Sequence, residues 1–326
     1  MINVKRSIPY AKRFCHIYKQ NYVPSSQIAE RLIKGVIYNE KVFNSLTCRL
    51  CLHKGILVLN KPYGISFSQD KPKNEKNDPL EVSLTTIIPF LKKSLGYTDI
   101  INIKVPEKYV SGVAIFCTDK SVQENFHKKL LRMRREDQPS DMYRSIVIGN
   151  PIKEMTHFQG AIKLENSPLT REKKAVLVSK CTKGERERGV AKKVVITHRT
   201  LASNNNASLV EIGTTRNSWH CVRIYLSTFL LTPVLGDNVH GSRVKTIMGQ
   251  SVLVDKFSPV AGVPQKLSSE LLKILKLTSV RDVAIPLHLH LSSVIINCFD
   301  RKGTHIEFLA PAPETFTWTC DRLGLT

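Results

Sequence analysis

Apolar residues in this chain fall into short bursts, each closed by a turn signal or by a charged stretch. Residues 56–60 (ILVLN) predict a buried strand, ended by the turn Lys61-Pro62-Tyr63-Gly64. Residues 69–79 are polar with two prolines and predict a loop, and 85–95 carry apolar positions at helical spacing. Residues 113–117 (VAIFC) predict a fully buried strand. The stretch 121–135 predicts an amphipathic helix, with Val122, Phe126, Leu130 and Leu131 on its apolar side.

Further along, 143–148 is expected to be a strand, and the charged stretch 179–193 (SKCTKGERERGVAKK) a flexible hairpin or loop. Residues 203–207 (SNNNA) form a hairpin turn between strands at 194–200 and 208–212. Residues 267–277 predict a helix, and 286–296 with 305–309 a final strand pair. Near the N-terminus, 25–38 reads as a short helix with Ser25 or Ser26 as its N-cap. Hairpins mixed with isolated helices argue for an α+β fold around a mixed sheet, and no internal repeat is visible.

Composition narrows the partners. The 326 residues hold 49 Lys plus Arg against 27 Asp plus Glu, a formal charge of +22. Such a balance favours a polyanionic partner, of which nucleic acid is the commonest. Eight dispersed cysteines suit a reducing compartment rather than a disulfide framework. Cys48-x-x-Cys51 with His53 is half of a zinc pattern, but no second half follows at a suitable spacing, so these are read as ordinary thiols. No Gly-rich phosphate loop or carboxylate cluster is present, and no metal or cofactor is expected. No run has the length needed to span a bilayer, since the apolar stretch at 224–235 is too short. Residues 1–27 are basic with no acid, as expected for a mitochondrial transit segment or a disordered basic arm. Residues 28–54 are expected to form a helical extension, and 55–326 the main domain.

A series of motifs runs in order through that domain: NKPYG at 60–64, KVPEKYVSGVAIF at 104–116, MYRSIVIG at 142–149, EIGTTRNSWHCVRIYL at 211–226 and PVLGDNVHG at 233–241. The strand 190–197, the Leu-His strand 286–291 and the F-x-A-P-x-P block near 307–313 complete it. The series resembles the RluA-type RNA pseudouridine synthases, closest to their mitochondrial members in animals. The resemblance spans roughly residues 28–322, and NKPYG and PVLGD are its most specific blocks. It implies a bent mixed β-sheet with flanking helices and a central cleft. It also implies isomerisation of uridine to pseudouridine in RNA, with the target base drawn out of its stack.

The family's catalytic segment, H-R-L-D-x-x-T/S-S-G, aligns with 104–112. Its Asp position holds Glu107, so Glu107 is the implied catalytic carboxylate. Its extra methylene would displace the oxygens by roughly 1–1.5 Å, and a misplacement near 1 Å costs on the order of 10²-fold in rate. Tyr143 matches the family's active-site Tyr and is implied to stack on the extruded base. The family's T-G-R-x-H-Q-I-R block keeps His220 and Arg223, but the Arg implied to pair with the carboxylate falls on Ser218, leaving Arg216 or Lys108 as replacements. Lys104 partly replaces the absent His-Arg pair, without the planar fork of Arg. Lys61 is expected to support the site through its turn, and Gly236 and Asp237 to shape another.

For RNA, the helix face Lys128, Lys129, Arg132 and Arg135 is the expected contact, extended by Arg134, Lys173, Lys174 and the 183–193 stretch. The resemblance implies mitochondrial mRNA or large-subunit rRNA as partner, with ribosome assembly factors as further partners, in the matrix. A chain that binds RNA without catalysing is the alternative, because several motif positions have changed together.

Overall fold

The structure, a computed structural model, describes residues 55–68, 83–151, 157–277, 285–299, 303 and 305–326. The expected basic arm, the 25–38 helix, the Cys48-x-x-Cys51 pair and the 69–79 loop lie outside the described residues.

Among the described residues ten strands form one mixed sheet. Strands β1 (Ile56–Lys61), β2 (Ile101–Lys104) and β3 (Ser111–Cys117) come first, with helices α1 (Leu84–Leu95) and α2 (Lys120–Arg135) interleaved. Then follow β4 (Asp141–Ile148), β5 (His157–Asn166), β6 (Lys173–Val178), the short helix α3 (Lys183–Glu187), β7 (Ala191–Asn204) and β8 (Ala207–Thr214). Helix α4 (Cys221–Thr228), a separate exposed hairpin of β9 (Val244–Ile247) and β10 (Gln250–Leu253), and helix α5 (Ser269–Ile274) lead to β11 (Leu289–Ile296), β12 (Ile306–Leu309) and helix α6 (Glu314–Leu323). The sheet order is β1-β3-β11-β4-β8-β7-β5-β6, with β2 also on β3 and β12 also on β11. Among the described strands of this sheet only the β3–β11 pair is parallel. No helix among the described residues is long and apolar enough to cross a membrane.

The parallel pair explains a motif. Gly112 has φ +121°, and a Cβ there would lie 2.1 Å from the carbonyl oxygen of Leu291. Only glycine lets β3 approach β11 so closely. The preceding Ser111 hydroxyl bonds to His290 Nδ1 at 2.9 Å, while His290 Nε2 lies 3.0 Å from the carbonyl of Ala310. The carbonyl can only accept, so Nε2 carries the proton and Nδ1 accepts from Ser111. His288 and His290 both pack against Phe316, so these alternating histidines serve the core. Burial pulls both well below the usual histidine range, to about 4.

Several expectations need correction. In α2 the buried residues are Phe126, Leu130 and Met133, whereas Leu131 is 48% exposed. The i, i+4, i+7 stripe excludes it. Residues 179–193 are not merely a loop. Thr182 and Glu185 form a capping box that starts α3, and β7 begins at Ala191. Helix α5 is shorter than 267–277, ending as Lys276 turns into the left-handed region at φ 54°. The hairpin at 203–207 is present, with Asn205 and Asn206 both left-handed (φ 51° and 54°), as a two-residue turn of the primed type requires.

Candidate active site

The turn Lys61–Gly64 clamps the segment that carries Glu107. Lys61 is fully buried, and its ammonium donates to the carbonyls of Pro62 (3.1 Å), Ile65 (3.0 Å) and Lys108 (3.2 Å). The amide of Gly64 donates to the same Lys108 carbonyl at 2.9 Å. Three acceptors match the three N–H bonds of a charged lysine. Burial pulls the Lys61 pKa down to about 7, with Glu107 acting in the opposite direction. The N-K-P-Y-G motif thus fixes the backbone one residue after the carboxylate.

Glu107 faces the start of α4. Its Oε2 lies 3.6 Å from His220 Nε2 and 3.9 Å from Arg223 Nη1. Burial raises the Glu107 pKa above the usual carboxylate value, while Arg223 and the backbone amide of His220 hold it down. Trp219 and His220 are both left-handed, at φ 54° and 59°. Strained non-glycine residues of this kind cost about 1 kcal/mol or more each and cluster at functional sites. They turn the chain so that it enters α4 directly beside the carboxylate.

Arg223 is 5% exposed, and its guanidinium grips Asp237 in a fork: Nε to Oδ2 at 2.9 Å and Nη2 to Oδ1 at 2.5 Å. Asp237 Oδ1 also accepts from the amides of Val239 and His240, both at 2.9 Å. So Asp237 shapes its turn, as expected, and also orients the arginine beside Glu107. Burial works to raise the Asp237 pKa, but the Arg223 contact outweighs it and the net shift is downward. Next to Asp237, Gly236 has φ +81°, and a Cβ there would meet the Pro286 carbonyl oxygen at 2.3 Å. His240 bonds through Nε2 to His220 Nδ1 at 3.1 Å. Burial lowers both imidazoles, to about 4 for His220 and about 3 for His240, so both are neutral at pH 7.

The geometry changes the picture of the missing cation. Ser218 indeed offers no charge, but Arg223 stands within ion-pair distance of Glu107. Among the described residues Arg216 makes no ion pair with the carboxylate. Lys108 lies over the Tyr109 ring at 5.3 Å, and Arg216 is coupled to Arg134. Lys104 is also placed differently from its expected role. Its ammonium is bound to Asp141 at 2.7 Å, tying β2 to the start of β4, because a carboxylate 3% exposed at that spot needs a counterion.

Tyr143 sits between Leu291 and Ile212 in the sheet, with only 2% of its surface exposed. Its hydroxyl accepts from Asn217 Nδ2 at 3.1 Å. The ring is therefore packed into the core of the sheet, near enough to Glu107 that the carboxylate charge helps to raise the tyrosine pKa after burial and Asp141. An open stacking face at Tyr143 is not what this structure presents. Exposed aromatic surface lies instead at Tyr109, 47% exposed, whose ring is 5.5 Å from Tyr63.

On α2, Lys128 and Arg135 are exposed and Lys129 is half-buried. Arg132 is bound to Glu136 at 2.7 Å, which occupies part of its donor set. Sequence reading missed Tyr63, Asn217 and His240 as parts of this site. The NKPYG and PVLGDNVHG motifs contained two of them, but only the fold shows that these motifs meet.

With this geometry in view, similarity to known proteins becomes informative. No family model matches the chain. The human protein named mitochondrial mRNA pseudouridine synthase RPUSD3 is 29% identical over 301 residues, covering 90% of this chain and 81% of its own length. Its bovine counterpart is 28% identical over 297 residues, covering 89% and 82%. Over most of its length this chain is homologous to proteins named mitochondrial pseudouridine synthases. The human protein named pseudouridylate synthase RPUSD4, mitochondrial, is 24% identical over 337 residues, covering 99% of this chain and 77% of that protein. The solved structure of human RNA pseudouridylate synthase domain containing 4 superposes with a TM-score of 0.64 at 22% identity, covering 93% of this chain and 97% of that one. That likeness shows the fold: a mixed sheet with flanking helices of the pseudouridylate-synthase type.

Proposed function

We propose that this chain is an RNA pseudouridine synthase of the mitochondrial matrix, acting on mitochondrial mRNA or large-subunit rRNA with Glu107 as its reacting carboxylate. The observation that carries this reading is the Glu107–Arg223–Asp237 array. A carboxylate is held beside a buried arginine, whose orientation is fixed by a second carboxylate. The mitochondrial names of the relatives support the compartment, and the formal charge of +22 supports an RNA partner.

The reaction is an isomerisation. The bond from ribose C1′ to uracil N1 breaks, C1′ bonds to C5, the C5 proton leaves and N1 gains a proton. Glu107 acts on the ribose as nucleophile or base, for which it must be ionised. Burial opposes ionisation, and Arg223 with the His220 amide favours it. Tyr143 packs into the core of the sheet near Glu107, Lys61 holds the Glu107 loop, and Lys128, Lys129, Arg132 and Arg135 supply phosphate contacts away from the reacting atoms.

The test is pseudouridine mapping of mitochondrial transcripts in cells that lack the protein and are complemented by wild type or Glu107→Gln at equal levels. Loss of the same sites with Glu107→Gln as without the protein is expected. Full restoration by Glu107→Gln would exclude a catalytic carboxylate. It would favour the second reading, an RNA-binding protein that assists mRNA or ribosome maturation beside assembly factors. One observation favours that alternative: the ring of Tyr143 is buried rather than open to a base.

A further inference from the structure

The loop from Thr215 to Trp219 gathers three cations that have no carboxylate counterion among the described residues. Arg134, reaching over from α2, donates through Nε to the carbonyl of Thr215 at 3.2 Å. Arg216 follows next in the chain, half-buried, and its Nε is shielded from solvent with no hydrogen-bond partner among the described residues. Lys192, from β7, lies with its ammonium 4.1 Å from the centre of the Trp219 ring. Among the described residues none of the three is ion-paired to a carboxylate. The same loop supplies Asn217, which holds the Tyr143 hydroxyl and the amide of Val222. The cluster is therefore joined to the wall of the candidate active site.

A buried guanidinium N–H without an acceptor costs about 1–3 kcal/mol, and more where the group is charged. Like charges placed together add to that cost. Burial lowers the Arg216 pKa first, with Arg134 adding to the effect, and the Lys192 ammonium is lowered by its own desolvation and then by Arg216. The surrounding sheet fixes the arrangement. Thr215 is pinned to β7 by its amide on the Val195 carbonyl (3.1 Å) and its hydroxyl on the Val195 amide (3.1 Å). A rigid, uncompensated trio with an unpartnered guanidinium N–H lacks an anion that offers several oxygen acceptors.

We propose that Arg134, Lys192 and Arg216 form a binding site for a backbone phosphodiester of the RNA strand, seating the nucleotide next to the one over Glu107. This rests on the RNA-binding part of the proposed function and not on catalysis. Arg216 supplies the planar donor that the phosphate oxygens complete. Arg134 and Lys192 add charge from two different elements, so that the phosphate links α2, β7 and the Asn217 loop.

The test is equilibrium binding of the full chain to a uridine-rich single-stranded RNA at several salt concentrations, with wild type, Arg216→Gln and Lys192→Gln. Each substitution is expected to weaken binding by about tenfold, the worth of one charge-assisted hydrogen bond. Each is also expected to reduce the slope of log affinity against log salt by about 0.7. The Arg216→Gln unfolding midpoint is expected to stay level or rise, because like-charge repulsion is relieved. A purely structural arginine would lower it. An RNA with uncharged methylphosphonate linkages should bind wild type and Arg216→Gln equally. Unchanged affinity and slope in both variants, with wild type binding RNA, overturns the site and leaves the RNA-binding reading standing. No RNA binding by wild type overturns both. Competition by inorganic phosphate that depends on Arg216 while RNA affinity does not would reassign the site to a free anion.

Discussion

Replacing Asp237 by Asn perturbs the candidate site at its electrostatic anchor. The side chain keeps its size and one carbonyl oxygen, so the amides of Val239 and His240 retain an acceptor and the turn persists. What disappears is the charge, together with one of the two acceptors gripped by Arg223. That arginine is 5% exposed and cannot turn to water, and its remaining acidic neighbour is Glu107 at 3.9 Å. Breaking one side of a buried ion pair costs about 3–5 kcal/mol, because the other charge stays buried. The retained carbonyl and Glu107 place the expected loss at the lower end, about 3 kcal/mol, or on the order of 10²-fold in the folding equilibrium. Urea unfolding monitored by far-UV circular dichroism measures it, with an unchanged m-value showing that the unfolded ensemble is the same. The pH dependence carries a sign. The Asp237 pKa is depressed in the folded state below its ordinary value of 3.8. Its stabilisation is therefore fully present above that value and is lost as pH falls through the folded value. Wild type should thus lose this increment in acid, and the variant should lack that part of its acid sensitivity. A loss below about 1 kcal/mol at pH 7 would refute the reasoning, for it would mean that the Arg223–Asp237 contact is exchangeable with solvent.

Four further outcomes follow from the same geometry. Glu107→Gln should raise the urea midpoint at pH 7, since the raised Glu107 pKa means that the fold disfavours its charge, while abolishing pseudouridine formation; a lowered midpoint contradicts this. The kcat/KM of wild type should rise as pH increases through the elevated Glu107 pKa, and Asp237→Asn should move that rise to lower pH because a repelling charge is removed; a profile that does not move speaks against Glu107 as the titrating group. Lys61→Met should cost about 2–4 kcal/mol by leaving three carbonyls short of a donor, and should lower kcat more than it raises KM because the Glu107 loop loosens. Gly112→Ala should prevent stable folding, because its Cβ would stand 2.1 Å from a backbone oxygen that cannot shift without parting β3 from β11; a soluble variant with native circular dichroism would show that the parallel pair yields.

Much of the fold was legible along the chain because its signals are local. Strand β3 carries the continuous apolar run 113–117, and all seven of its residues are buried. Helix α1 shows helical spacing, and the paired asparagines at 205 and 206 announce the β7–β8 hairpin. The strands β5 and β6 were not foreseen, since their half-exposed faces, with Lys163, Glu165 and Lys174 among the apolar residues, give no uniform pattern. Helix α3 escaped because its capping box is embedded in a charged stretch.

The candidate site divides along the same line. Residue type and order already supply the needed chemistry: a carboxylate at Glu107, an arginine at Arg223, and the turns of NKPYG and PVLGD. They could not decide which cation serves which carboxylate. Glu107, Arg223 and Asp237 come from three separate segments, and their distances depend on how β3, α4 and the following turn pack. Tertiary structure alone brought Arg223 to Glu107, sent Lys104 to Asp141 and closed the ring of Tyr143 into the core of the sheet. The physical reason is range. Hydrophobic period and turn chemistry act over a few residues, whereas charge pairing in a low-dielectric interior is settled by contacts between segments far apart in the chain.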